Sequence, residues 1–286
     1  MAYNDYFQSS EFHDLLHQYE ESGLEHLADF SSADLTDLAE YFHSIGDMDQ
    51  ALKIIDSAIA IYPGAVGPLI FRARTALVKD GNPMMAYYYA DLIDDKTDLD
   101  YYYIQAEIMV YNNEAEKAND YLLGKYEEVN EDDRQDYLLD VATLFADYEL
   151  WDYADSWSRN YEDKDESDYL ELQGRLMSVR QEYDKAEEVF NRLLDRNPFS
   201  TAYWNLLACT QFYAKDFQKC ISSCDYALAI QPENADALLT KANALFYIGN
   251  IKDAVANYVH YMTVCGEDIP DDADLEEYFN QIMNSQ

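Results

Sequence analysis

TAYWNLLACTQFYAKDFQKCISSCDYALAIQPEN, residues 201–234, decides how the rest of the chain is read. Shifted by 34 residues in either direction, the same chemistry returns. Gly174, Ala208 and Ala242 fall in step, as do Ala186, Cys220 and Ala254. Leu170, Trp204 and Leu238 form a third row, Tyr183, Phe217 and Ile251 a fourth, and Phe190, Cys224 and Tyr258 a fifth. Pro198 and Pro232 close two of the units. Five rows in one frame mean that the chain is a stack of copies.

Each copy predicts two helices. Trp204, Leu207, Ala208 and Gln211 recur at helical spacing and give the first helix one inward face. Cys220, Cys224, Ala227 and Leu228 do the same for the second. Between them lies Lys215-Asp216, matched by Gly249-Asn250 and Gly46-Asp47 in other copies. Glycine ends a helix in the left-handed conformation, and Asp or Asn caps the next. Asp47 has Gln50 three residues on, close to a capping box. Pro198 and Pro232 sit where a second helix must stop. The small residues predict close crossings: Gly174, Ala208 and Ala242 should meet Ala186, Cys220 and Ala254.

The remaining copies follow from the small residues. Ala39, Ala73, Ala106, Ala142 and Gly174 mark first helices, and Ala51, Ala86, Ala118, Ala154 and Ala186 mark second ones. The offsets vary in the turns, where insertions are tolerated. Asn82-Pro83 suits the start of a second helix. Seven copies result: 32–65, 66–97, 98–132, 133–166, 167–200, 201–234 and 235–268. Residues 1–31, with Phe12, Leu15, Leu16, Tyr19, Leu24, Leu27 and Phe30, predict an N-terminal cap. Residues 269–286, with the stripe Leu275, Tyr278, Phe279 and Ile282, predict a C-terminal capping helix. No flexible linker is visible, so residues 1–286 are expected to form a single domain.

A 34-residue helix–turn–helix with this Trp/Leu, Ala, aromatic, Ala and Pro spacing resembles the tetratricopeptide repeat (TPR). The match is close over 167–268 and nearly as good over 32–65, with Leu35, Leu38, Ala39, Phe42, Gly46, Ala51, Ile55, Ala58 and Pro63. The resemblance implies an all-α, right-handed alpha-alpha superhelix (a solenoid) of about seven hairpins. It also implies a concave groove lined by the first helices. The implied inward row runs through Thr36, Glu40 and His43, Ile70 and Arg74, then Tyr103, Glu107 and Tyr111. It continues with Leu139 and Thr143, Glu171 and Arg175, Asn205, Cys209 and Phe212, and Thr240, Asn243 and Tyr247. Some members of the family clamp a C-terminal carboxylate with lysines and asparagines. The lysines are missing from this row, whereas Asn205 and Asn243 remain, and paired amides can hold an extended peptide backbone. The candidate groove residues are Asn205, Asn243, Arg175, Tyr103, Glu107, Arg74, Phe212 and Tyr247.

Charge is the most informative bulk property. Fifty-seven acidic against 19 basic side chains give a formal net charge of −38. Such a surface repels nucleic-acid phosphate and anionic lipid, and steers basic partners toward itself. Its simplest role is a solubilising coat. The 27 tyrosines argue against a disordered acidic tail. No stretch is long and apolar enough for a membrane span, and the start carries no secretory pattern, so a cytoplasmic setting is expected. Cys209, Cys220, Cys224 and Cys265 have no partners at metal spacing and read as reduced, Cys220 and Cys224 as small buried hydrophobes.

Motifs for chemistry are weak. His13 and His17 lie one helical turn apart, but HDLLH lacks a metalloprotease glutamate and reads as an exposed helix face. Residues 163–174 begin like a calcium loop and then place Asp168 where glycine is needed and Gly174 where glutamate is needed. There is no phosphate loop and no nucleophile elbow. Tyr87-Tyr88-Tyr89 and Tyr101-Tyr102-Tyr103 must each point three ways from a helix, part inward and part outward. The expectation is a non-catalytic scaffold, without cofactor or metal, holding an extended peptide or helix of a protein partner. The rival reading is an acidic chaperone or nucleic-acid mimic that binds basic clients through bulk charge. A structural assembly subunit also fits.

Overall fold

In the computed structural model the described residues are 6–7 and 9–266, and these form 15 α-helices, two short 3-10 segments and no strand. The C-terminal capping helix expected over 269–286 lies outside them. The chain divides into two compact units, Met1–Glu162 and Asp163–Gln286.

In the first unit, α1 (Ser10–Ser22) and a 3-10 turn (Leu24–Asp29) precede four hairpins. These are α2 (Ser32–Ser44) with α3 (Met48–Ile61), α4 (Val66–Val78) with α5 (Pro83–Asp91), α6 (Leu99–Tyr111) with α7 (Ala115–Tyr126), and α8 (Arg134–Asp147) with α9 (Trp151–Ser158). The second unit holds α10 (Ser167–Val179) with α11 (Tyr183–Arg196), α12 (Thr201–Tyr213) with α13 (Phe217–Ile230), and α14 (Ala235–Tyr247) with α15 (Ile251–Cys265).

Every hairpin turn is built the same way. One residue adopts positive φ: Gly46, Gly81, Asn113, Glu149, Gln181, Lys215 or Gly249. In six of the seven, the next N–H reaches back to a carbonyl five residues earlier, as in Asp47 to Phe42 (2.8 Å) and Asp216 to Gln211 (2.9 Å). This Schellman closure satisfies carbonyls that a helix end would otherwise leave open. The α4–α5 turn is one residue longer, and Asn82 N–H bonds to Ala76 instead. Asn82, Asp47 and Asp216 then cap the following helices through their side chains.

Two local expectations are corrected. Gln50 does not complete a capping box with Asp47: its side-chain amide donates to the Tyr19 hydroxyl, which ties α1 to α3. A reciprocal box forms instead at Ser31 and Asp34. At Gly174 a Cβ would lie 2.7 Å from the Phe190 ring, so that ring fills the space the absent side chain leaves. Leu24 is exposed, while Leu27 and Phe30 are buried under α1 with Tyr19.

Within each unit the layers are distinct. First helices of neighbouring hairpins lie against each other, α2 on α4, α4 on α6, α6 on α8 and, in the second unit, α12 on α14. Where another hairpin follows in the same unit, the second helix packs on its first helix, as α3 on α4 and α13 on α14. The layer of first helices is therefore the inner one of each stack. It places the position after each crossing residue on a common face.

Candidate binding face on the first helices

In the first unit, Glu40, Arg74 and Glu107 each follow a buried alanine, Ala39, Ala73 and Ala106, so they share one register on α2, α4 and α6. The Arg74 guanidinium donates to both Glu107 carboxylate oxygens at 3.0–3.2 Å. The Glu107 side chain is 13 % exposed and that of Arg74 43 %, so the acid is sheltered and the base reaches toward water. Burial lifts the Glu40 carboxyl above the usual carboxylate range, with His43 and Arg74 pulling the other way. Burial and then the Glu107 charge push the Tyr148 phenol up to about 12. The Tyr103 hydroxyl donates to Asp140 Oδ2 at 3.0 Å, and Tyr103 itself is buried. Its phenol is held far above the ordinary value by burial and Asp140. Ile70 and Leu139, two further members of the implied row, are also buried. They and the Tyr103 ring belong to the core; Glu40, Arg74, Glu107 and Asp140 carry the charge of this face.

In the second unit the corresponding face carries the amides Asn205 and Asn243 beside Glu171 and Arg175. Asn234 caps α14 by accepting the Ala237 N–H at 2.9 Å on Oδ1. The same Oδ1 accepts the Asn205 side-chain amide at 3.0 Å. The cap thereby fixes which way Asn205 faces, since its NH₂ must meet an acceptor. Asn205 Oδ1 is left shielded from solvent with no protein donor. An unmade hydrogen bond of this kind costs about 1–3 kcal/mol. Asn243 on α14 and Arg175 on α10 are half-buried. Phe212 and Tyr247 are drawn into packing: Tyr247 stacks on Phe217 at 4.8 Å, and Phe212 meets both rings edge-on at 5.6 Å. They join the ends of α12, α13 and α14.

The structure thus brings Arg74 together with Glu107 and Phe212 together with Tyr247. Asp140, Tyr148 and Asn234 join the face without having been expected from sequence. Asn234 is readable as a helix cap, but its second bond exists only once α12 and α14 pack. Asp140 and Tyr148 carry no sequence signal that separates them from other acids and tyrosines.

Elsewhere, the aborted calcium loop is an inter-repeat turn in which Arg192 and Arg196 both reach Asp165. Cys220 and Cys224 are buried free thiols, and Cys209 and Cys265 are exposed. His13 and His17 are exposed on α1. Among the described residues, no group of three or more His, Cys, Asp or Glu side chains is arranged to hold a metal. No described helix is long and apolar enough to cross a membrane.

No protein-family model and no curated protein matches the chain. Among solved structures it is similar to a tetratricopeptide repeat protein from Parabacteroides merdae, with a TM-score of 0.56 at 14 % identity. That likeness covers 88 % of this chain and 98 % of the other. Looser likenesses are to MamA from Desulfovibrio magneticus, with a TM-score of 0.47, 16 % identity, and 59 % and 95 % covered. The first TPR of Spaghetti (RPAP3) bound to an HSP90 peptide gives 0.36, 18 % identity, and 43 % and 94 % covered. The fold is all-α and of the tetratricopeptide-repeat kind.

Proposed function

We propose that the protein is a non-catalytic interaction scaffold that holds an extended peptide or a helix of a protein partner on its first-helix face. The observation that carries this reading is Asn205: an amide locked in orientation by a helix cap, with its carbonyl oxygen shielded and lacking a donor. A peptide N–H is the donor such an acceptor lacks, and Asn243 in the next copy repeats the amide one hairpin along. In the first unit the charged row of Glu40, Arg74 and Glu107 supplies side-chain selectivity.

Partner capture from native lysate, with N205A/N243A and E40Q/E107Q compared against the unaltered chain, tests this reading. Weakened capture by the amide variant at an unchanged melting temperature is expected. Capture that ignores both variants and vanishes with salt would replace the groove with the rival reading, in which the net charge of −38 gathers basic clients in bulk.

A further inference from the structure

We infer that the outward face of α5 is a second docking surface, on the side of the hairpin opposite the inner layer, and that its occupant is a partner helix with an apolar stripe flanked by Lys and Arg. The helix packs inward through Ala86 and Ala90, both fully buried. Directly opposite, at helical spacing, stand Met84 (81 % exposed), Tyr88 (55 %) and Leu92 (42 %), with Met85 and Tyr87 exposed beside them.

The same register in the other six hairpins is built for water. Two residues before the buried small residue, where α5 has Met84, they carry Asp49, Glu116, Asp152, Asp184, Gln218 and Lys252. Two residues after it, where α5 has Tyr88, five of the six are polar, Ala256 being the exception. A helix that is apolar all round is normally covered, and a contiguous exposed apolar stripe marks an interaction surface. Methionine and tyrosine suit that use, one by adapting its shape and the other by adding a rigid face with a polar tip. Tyr88 touches Tyr89 edge-on at 5.4 Å and otherwise faces outward.

Charge selects the occupant. Asp80, Asp91, Asp94 and Asp95 flank the stripe and are exposed. Two of the nearby cations are engaged. Arg72 pairs with Asp56 at 3.1 Å and lies over the Tyr89 ring, and Lys96 is held by the carbonyls of Ala90 and Asp91 at 3.1 and 2.7 Å. Lys79 stands at the turn end of the stripe. The first unit as a whole carries 35 acidic against nine basic side chains. A second copy would bring the same excess of carboxylates, whereas a basic amphipathic helix meets both the apolar stripe and its acidic rim.

The test uses the full chain and two synthetic amphipathic peptides with the same leucine face, one flanked by lysines and one by glutamates. Binding is followed by fluorescence anisotropy at about 0.3 M salt, where bulk attraction is largely screened. The variant M84S/Y88S/L92S leaves the charge unchanged, and D49S/K53S alters the matching face of α3, also at constant charge. The inference predicts binding of the Leu/Lys peptide, a loss of about tenfold or more in the triple variant, no change in the control, and amide protection confined to 84–92. Should the triple variant melt earlier, Y88S alone serves, with a smaller loss expected. Equal affinity in the triple variant, protection on the first helices, or equal binding of the Leu/Glu peptide would overturn the inference. So would self-association of the chain alone that the triple variant abolishes, since the occupant would then be a second copy.

Discussion

The two units use one hairpin design with different side chains. The first carries 35 acidic and nine basic residues and 18 of the 27 tyrosines; the second carries 22, ten and nine. In the first, rings close the core: Tyr137 is fully buried, donates to the Leu122 carbonyl at 2.9 Å and lies against Tyr103, Tyr126 and Trp157. In the second, the thiols Cys220 and Cys224 are fully buried with Ala208 and Ala242, and Phe190 and Tyr258 supply buried rings. The inner faces differ too: the first carries the Arg74–Glu107 ion pair, the second the amide bond from Asn205 to Asn234. The difference teaches that the scaffold is set by the turns and the crossing residues. The remaining positions are free to carry separate chemistries.

The largest expected break lies in the second unit. Phe190→Ala removes the ring that fills the space Gly174 leaves, and should cost about 3–5 kcal/mol in chemical denaturation. Gly174→Ala forces a methyl toward that ring and should cost about 1–3 kcal/mol. Joining it with Phe190→Leu should recover part of that loss, because the two side chains share one space. Additive losses would mean that Gly174 is not set by Phe190.

In the first unit, Arg74→Met leaves the sheltered Glu107 without its partner. About 1–2 kcal/mol is expected, less than for a fully buried pair because the guanidinium is partly exposed. A melt at neutral pH with no loss would show the pair to be unimportant for stability.

Glu40 gives a pH test. Its folded pKa is raised, so the folded state holds the proton more tightly than the unfolded one. Stability should fall as pH rises from the ordinary glutamate value through the raised one. Glu40→Gln should remove that slope. The variant should be the more stable at pH 7 and show no such gain in acid below the ordinary value. An identical slope in both proteins would place the cause elsewhere.

The smallest effect separates the turns. Glu149 in the first unit, and Gln181 and Lys215 in the second, hold positive φ where other hairpins use glycine. Each change to glycine should stabilise by up to about 1 kcal/mol, because the left-handed conformation costs residues with a Cβ. Calorimetry of the three single variants measures it. A loss in any one would show that its side chain contributes more than its strain costs.

The hairpins were legible because their causes are local. Helical spacing, a turn residue, a cap and a proline act within a few residues, and repetition checked the helix–turn–helix pattern seven times. The Asn82-Pro83 start, the Asp216 cap and the buried cysteines needed nothing else. The two tyrosine runs were not separable in that way. Tyr102 and Tyr103 are buried whereas Tyr87 and Tyr88 are exposed, although each run reads as three equal residues. The candidate groove divided likewise, Phe212 and Tyr247 going to packing and Asn205 to an oriented amide whose oxygen lacks a donor.

By itself the sequence determined the all-α repeat, the places where helices begin and end, and the acidic surplus, since all three follow from residue type and short-range spacing. Only the tertiary structure decided that Arg74 finds Glu107, that the Asn234 cap aims Asn205, and that the outward stripe of α5 stays uncovered. Those outcomes depend on which side chains from separate hairpins come within reach, and a periodic pattern is silent on that until the helices have packed.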